Sequence, residues 1–184
     1  MQAQSALLER PPQASHDRFR ALYDREFDYV ARTLRRLGAR PNDLKDLCQE
    51  VFLAAFNRFS TYDPRRPLRP WLFGIAFRAM SDFRYKAYHH REMRTDAPLT
   101  LASPPHLDEA VEAREARDLV LASLAALPPE RRAVLIMHDL DGSAAPEIAD
   151  ALGVPLNTVY SRLRVARQEF AAAVRRVRPE RGQR

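Results

Sequence analysis

Cysteine is all but absent from this chain. Cys48 is the single one in 184 residues, so neither an intrachain disulfide nor a cysteine-built zinc cluster can form, and a reducing compartment suits the sequence. Cys48 falls on an apolar helical stripe, which predicts a buried thiol. Long hydrophobic runs are also missing: no segment approaches the length a bilayer requires. The opening MQAQSALLERPPQASHD has no basic leader followed by an apolar stretch. A cytoplasmic setting without membrane insertion is therefore expected. Strand-type alternation and internal repeats are not evident, which leaves an all-α chain. A catalytic constellation is lacking as well. His89 and His90 adjoin a basic segment, His16 and His138 fall in helical patterns, and His106 lies in a proline-rich stretch. None has metal-ligand spacing with cysteine or carboxylates, so the expectation is a non-enzyme with no metal and no cofactor.

Positive charge is present in excess, with 30 Lys and Arg against 24 Asp and Glu, a net +6. That balance favours an acidic partner such as nucleic acid. From Arg162 onward the chain carries Arg162, Arg164, Arg167, Arg175, Arg176, Arg178, Arg181 and Arg184 against Glu169 and Glu180 alone. Immediately before and within this stretch, AAPEIADALGVPLNTVYSRLRVAR (Ala144 to Arg167) has the spacing of two short helices joined by a tight turn. Ala149 is small where the helices cross, Gly153 can adopt the left-handed turn conformation, and Val159 is apolar where the second helix packs back. Pro146 suits a first helical turn, and Pro155 opens the second helix where a missing N–H is tolerated. The outward face of that second helix carries Asn157, Thr158, Tyr160, Ser161, Arg162, Arg164 and Arg167. Such groups can meet phosphates and base edges.

The rest reads as two small helical domains on a flexible linker. Residues 1–14 form a tail, 15–91 a first domain, 92–107 the linker, 108–178 a second domain and 179–184 a basic tail. In the first domain Ser15 can cap a helix whose stripe runs Phe19, Leu22, Tyr23, Phe27, Val30, Leu34 and Leu37, with Gly38 ending it. A second stripe, Leu44, Leu47, Cys48, Val51, Phe52, Ala55, Phe56 and Phe59, must face a core. On the opposite side of that helix Asp46, Gln49, Glu50, Leu53 and Asn57 group an exposed leucine with polar and acidic neighbours. The segment Ser60 to Pro70 predicts a loop because its three prolines exclude continuous helix. Trp71 to Tyr88 then predicts a helix with Trp71, Leu72, Ile75, Ala79 and Phe83 buried. That leaves Phe73, Phe77, Arg78, Arg84, Tyr85, Lys86 and Tyr88 as an aromatic and basic surplus able to stack bases and hold a phosphate backbone. In the second domain Val111, Leu119, Leu121, Leu124 and Leu127 mark one apolar stripe, and Val134, Leu135, Met137 and Leu140 another.

In order and spacing, DLCQEVFLAAF (Asp46 to Phe56), PWLFGIAFRAMSDFR (Pro70 to Arg84), LPPERRAVLIMHDLDG (Leu127 to Gly142) and EIADALGVPLNTVYSRLRVAR resemble a bacterial sigma factor of the extracytoplasmic-function (ECF) group in the sigma-70 family. The resemblance spans about Phe19 to Arg176. It implies that the first domain binds the clamp helices of the polymerase beta-prime subunit through Asp46, Gln49, Glu50, Leu53 and Asn57. The same domain would recognise the −10 element as single-stranded DNA, through Tyr62, Asp63, Arg65, Arg66, Arg69, Phe77, Arg78, Arg84 and Lys86. The second domain would read the −35 element as duplex through Asn157, Thr158, Tyr160, Ser161, Arg162, Arg164 and Arg167. Implied partners are core RNA polymerase, including its beta subunit, promoter DNA and, as a family expectation, an anti-sigma factor. Arg78 stands where the family commonly has Asn, and Tyr160 where it often has Lys. Two other readings use part of the same residues. A dimeric helix-turn-helix regulator of duplex operators accounts for the C-terminal motif but leaves the acidic face and the aromatic-basic helix unused. A helical module whose basic face binds RNA or a membrane surface predicts no sequence preference.

Overall fold

The computed structural model describes residues 13–92 and 111–177, the side chains at 13–16, 61 and 88–92 excepted. The 92–107 linker, apart from the backbone at 92, and the terminal tails, apart from the backbone at 13–14, lie outside the described residues. Among the described residues there are seven α-helices and no strand. Helix α1 runs Gln13–Leu37, so Ser15 falls within it rather than before it. The helix stops at Gly38, whose φ of 104° lies in the left-handed region. There Gly38 N–H donates to Arg35 O at 3.0 Å and Ala39 N–H to Leu34 O at 2.9 Å, which satisfies the last carbonyls. After a single turn at Pro41–Asp43, helix α2 spans Leu44–Arg58 and buries Leu47, Cys48, Val51, Phe52 and Ala55. Aromatic rings bind α1 to α2: Phe19 meets Phe56 edge-on at 5.0 Å and Phe59 at 5.6 Å, while Tyr23 lies 4.5 Å from Phe52. Burial pushes the Cys48 thiol up to about 11, which makes it inert at neutral pH.

Helix α3 spans Leu68–Glu92 and begins inside the segment expected to be loop. Pro70 is accommodated because first-turn residues have no intrahelical N–H bond to lose. A second expectation is corrected here: Phe73 belongs to the core and not to the exposed surplus, being fully buried with Leu72, Ile75, Ala76 and Met80. The reason is that α3 packs against three helices, α1, α2 and α6. A single-stripe pattern underestimates how much of such a helix is hidden.

In the C-terminal half, α4 (Val111–Ala125) precedes α5 (Pro129–Leu135), which continues through a widened π turn at Ile136–Leu140. Two residues assigned to apolar stripes in this half are exposed, Val111 at 72% and Leu140 at 41%, as are Tyr23 and Phe27 on the α1 stripe. The first turns of α4 are exposed throughout. The extra residue of the π turn rotates Leu140 off the buried face. Helix α6 (Ala145–Leu152) and helix α7 (Leu156–Val177) complete the chain. Glu147 reaches back to accept the Ala144 N–H at 3.0 Å, half of a capping box. Gly153 takes the left-handed conformation at φ 67°. Val154 N–H then returns to Ala149 O at 3.0 Å. Ile148, Val159, Leu163 and Ala166 close the core between α6 and α7. The helix-turn-helix is thus built as its spacing predicts.

Candidate nucleic-acid interface

On α2 the five residues opposite the core share one open face. Asp46, Gln49, Glu50 and Asn57 are exposed, and Leu53 is 62% exposed among them. A large aliphatic side chain left in water among carboxylates and amides is chemically suited to a partly apolar, basic partner. The buried stripe sets this arrangement, because fixing Leu47, Val51 and Ala55 inward turns these five outward.

The segment before α3 is ordered by its own polar groups. Asp63 Oδ1 accepts the Arg65 N–H at 2.9 Å, and the Tyr62 hydroxyl donates to Arg66 O at 2.6 Å. The Tyr62 ring lies 4.8 Å from Trp71 and stacks near Phe59 at 6.4 Å. Arg65, Arg66 and Arg69 project from this turn. Two are already paired, Arg66 with Asp150 at 3.1 Å and Arg69 with Glu26 at 3.0 Å. Arg69 also sits 5.0 Å over the Tyr29 ring. Further along α3, Arg78 donates to Ala151 O at 3.2 Å, Lys86 is exposed and Phe77 is half-buried against the core. Arg84 is half-buried, its basicity lowered by that burial, with Glu130 close enough to oppose the shift. The structure therefore brings Tyr62, Asp63, Arg65 and Arg66 into one surface, and sets Phe77 and Arg84 apart from it.

On α7, Asn157, Tyr160, Ser161 and Arg164 are exposed, while Thr158 and Arg162 are partly so. Ser161 Oγ donates to Thr158 O at 3.0 Å, which tidies the first turn. Arg167 differs from the others. Its guanidinium donates to both oxygens of Asp139, Nε at 2.9 Å and Nη2 at 2.6 Å. That bidentate grip is the main cause that holds the Asp139 carboxyl below the usual carboxylate range. Arg167 is tied to the end of α5 rather than aimed outward with Arg164.

Two family models match the chain, sigma-70 region 2 over residues 22–89 and sigma-70 region 4 over residues 117–170. The RNA polymerase sigma factor NccH of Alcaligenes xylosoxydans xylosoxydans is 30% identical over 172 residues, covering 91% of this chain and 92% of that one. The chain belongs to the sigma-70 family of RNA polymerase sigma factors. Within it the ECF group is the fit, and the ECF sigma factor SigL of Mycobacterium tuberculosis is 32% identical over 151 residues, covering 80% of this chain and 83% of that one. The solved structure of CnrH in complex with the cytosolic domain of CnrY is similar at a TM-score of 0.64 and 26% identity, covering 89% of this sigma factor and 93% of that chain. No helix among the described residues is long and apolar enough to cross a membrane.

Several residues at the junction of the two halves escape sequence reasoning. Asp141 accepts from the Tyr29 hydroxyl at 3.0 Å and from Arg36 at 2.9 Å. Burial raises the Asp141 carboxyl despite these donors. It also raises Tyr29, with the Asp141 charge adding to the shift. Arg132, buried, donates to Leu37 O at 2.8 Å, Ala125 O at 2.8 Å and Leu127 O at 2.9 Å. Its basicity falls to about 10, mainly through burial. The one sequence signal for Arg132 is a cation at the edge of the apolar run AVLIM.

Proposed function

We propose that this sigma factor divides promoter recognition between its two halves, residues 15–91 and 108–178, with 92–107 as the tether between them. The Asp46/Gln49/Glu50/Leu53/Asn57 face docks core polymerase at the beta-prime clamp helices. The Tyr62–Arg69 turn, with Arg78, Lys86, Phe77 and Arg84 further along α3, captures unpaired bases and backbone of the −10 element. Asn157 to Arg164 read the −35 duplex in the major groove, and Arg167 ties that helix to Asp139 at the end of α5. Base stacking contributes about 1–3 kcal/mol per base, enough to offset an unstacking cost of a few kcal/mol. The observation that carries this reading is that the one chain joins a helix-turn-helix to a separate arginine-rich turn backed by Tyr62 and Trp71. A repressor that reads only duplex DNA has no use for the second surface. Nucleotidyl transfer belongs to polymerase, so this chain needs neither catalytic residue nor cofactor of its own. It works in the cytoplasm, where promoters and polymerase are. An anti-sigma protein as antagonist is favoured by the similarity to CnrH, whose structure holds the cytosolic domain of CnrY.

Transcription of a randomised duplex template library by core polymerase, with and without this protein, tests the proposal. Sequencing the templates that yield transcripts should return two short motifs at fixed spacing, present only when the protein is added. Transcripts without any enriched motif would sink it.

A further inference from the structure

Outside the proposed DNA and polymerase surfaces, a cleft of about 430 Å³ lies between the end of α1 and one face of α4. The end of α1 brings Arg35 and Arg36 to it, α4 brings Arg114 and Asp118, and α5 brings Arg132. Among the described lining residues, four guanidiniums thus stand against a single carboxylate. Arg132 is the one most in need of a counter-charge. It is 8% exposed, and Gly38 makes room for it, since a Cβ there would stand 2.8 Å from the arginine Nη1. Its Nη1 and Nη2 donate to the carbonyls of Leu37, Ala125 and Leu127, all neutral acceptors. Its Nε is buried with no hydrogen-bond partner among the described residues. Burial, with the Arg84 charge added, lowers its basicity, and no carboxylate among the described residues opposes the shift. A buried cation ordinarily sits against an anion. Here the other arginines of the cleft deepen the deficit.

We infer that this cleft binds a small anion with clustered phosphates, of the size of a nucleoside diphosphate, gripped by Arg35, Arg36 and Arg114 over the buried charge of Arg132. Guanidiniums suit such a ligand because their paired N–H groups meet phosphate oxygens two at a time. The volume is that of an ordinary small-molecule site, roughly 300–1,000 Å³. A helix C-terminus by itself disfavours anions, but the last carbonyls of α1 are already occupied. Leu34 O accepts the Ala39 N–H, Arg35 O the Gly38 N–H and Leu37 O the Arg132 guanidinium. Arg36 commits Nη1 to Asp141, one of about five N–H donors a guanidinium carries. Ala39, Leu121 and Ala122 supply an apolar wall for the remainder of an organic phosphate. Because α1 belongs to the first half and α4 and α5 to the second, the bound anion ties the halves together and stabilises the folded chain by linkage.

Isothermal titration calorimetry and thermal melting of the full-length chain, at fixed ionic strength, test this with sodium pyrophosphate and ADP as probes. At least one probe should bind one-to-one and raise the melting temperature. Pyrophosphate binding as tightly as ADP, or more so, points to an inorganic source, and tighter ADP to an organic phosphate seated on the apolar wall. Arg114→Glu and Ala125→Glu change exposed positions of α4 that line the cleft. Both should keep the wild-type circular dichroism and weaken binding roughly tenfold or more. Arg175→Ala combined with Arg176→Ala, at exposed positions near the end of α7, should leave affinity within about twofold, because screening limits distant charges. Binding that survives both cleft variants, or that falls as far in the α7 variant, would overturn the site. So would the absence of saturable binding by either probe up to about 10 mM.

Discussion

At the scale of single residues, Glu50 and Asp139 make opposite uses of a carboxylate. Glu50 is exposed on α2, so Glu50→Arg should leave thermal stability unchanged. The same change places like charge against a basic docking partner and should weaken core-polymerase binding by about 2 kcal/mol. Fluorescence anisotropy against core enzyme measures this, and normal binding at wild-type stability would remove α2 from the interface. Asp139 acts within the fold, gripped by Arg167 and lowered in pKa chiefly by that hydrogen bond. Its folded carboxyl ionises below the ordinary value near 4, so its stabilisation is complete above that value. It is lost as pH falls through the lower, folded value. Asp139→Asn should therefore flatten part of the acid limb of stability against pH while leaving the neutral-to-alkaline shape alone. Chemical denaturation between about pH 2 and pH 6 checks it, and an unchanged acid limb would mean that the pair does not stabilise the fold.

Elements divide into those whose surroundings come from their own sequence and those completed by distant partners. Helix α2 and the α6–α7 motif are of the first kind. Their stripes bury Leu47, Val51 and Ala55, or Ile148, Val159 and Leu163, and the open faces follow from helical geometry alone. Gly38 and Gly153 end their helices where turn chemistry requires a positive φ. Helix α3 is of the second kind. Phe73 reads as surplus because the sequence near it does not reveal that α3 packs against α6 as well as α1 and α2. Tyr29 and Asp141 meet across 112 residues, and Arg132 and Leu37 across 95, distances at which periodicity carries no signal. Gly74 is visible as a helix-weakening residue, but its reason becomes clear only with Ala151 against it. Among the residues proposed to face DNA, Arg162 and Arg164 lie on the legible element. Replacing a base-reading arginine there by alanine should cost about 1–3 kcal/mol and relax preference at one base pair, whereas losing a phosphate contact should weaken all sequences alike and lower the salt slope. Full-length binding to −35 duplex variants over a range of salt separates these. Unchanged affinity and salt dependence in both Arg162→Ala and Arg164→Ala would mean that α7 does not read DNA.

For the whole molecule, the proposed work requires two separate contacts with DNA, one that positions and one that opens. A basic net charge of +6 brings the chain to promoters without discriminating among them. In the proposed division, discrimination falls to the helix-turn-helix and to the Tyr62–Arg69 turn, acting on duplex and on separated strands respectively. Permanganate reactivity of unpaired thymines, measured with reconstituted holoenzyme on one promoter from the randomised library, tests that division most directly. The promoter is prepared both as a duplex and with its −10 region already unpaired. Alanine at Tyr62, Arg66 and Arg84 together should abolish most −10 reactivity and transcription on the duplex while sparing its initial binding. Part of the transcription should return on the pre-opened template, where the unstacking cost of a few kcal/mol has been removed. Equal losses of duplex binding and opening, without recovery on the unpaired template, would contradict a strand-capturing role and leave the first half as a general electrostatic anchor.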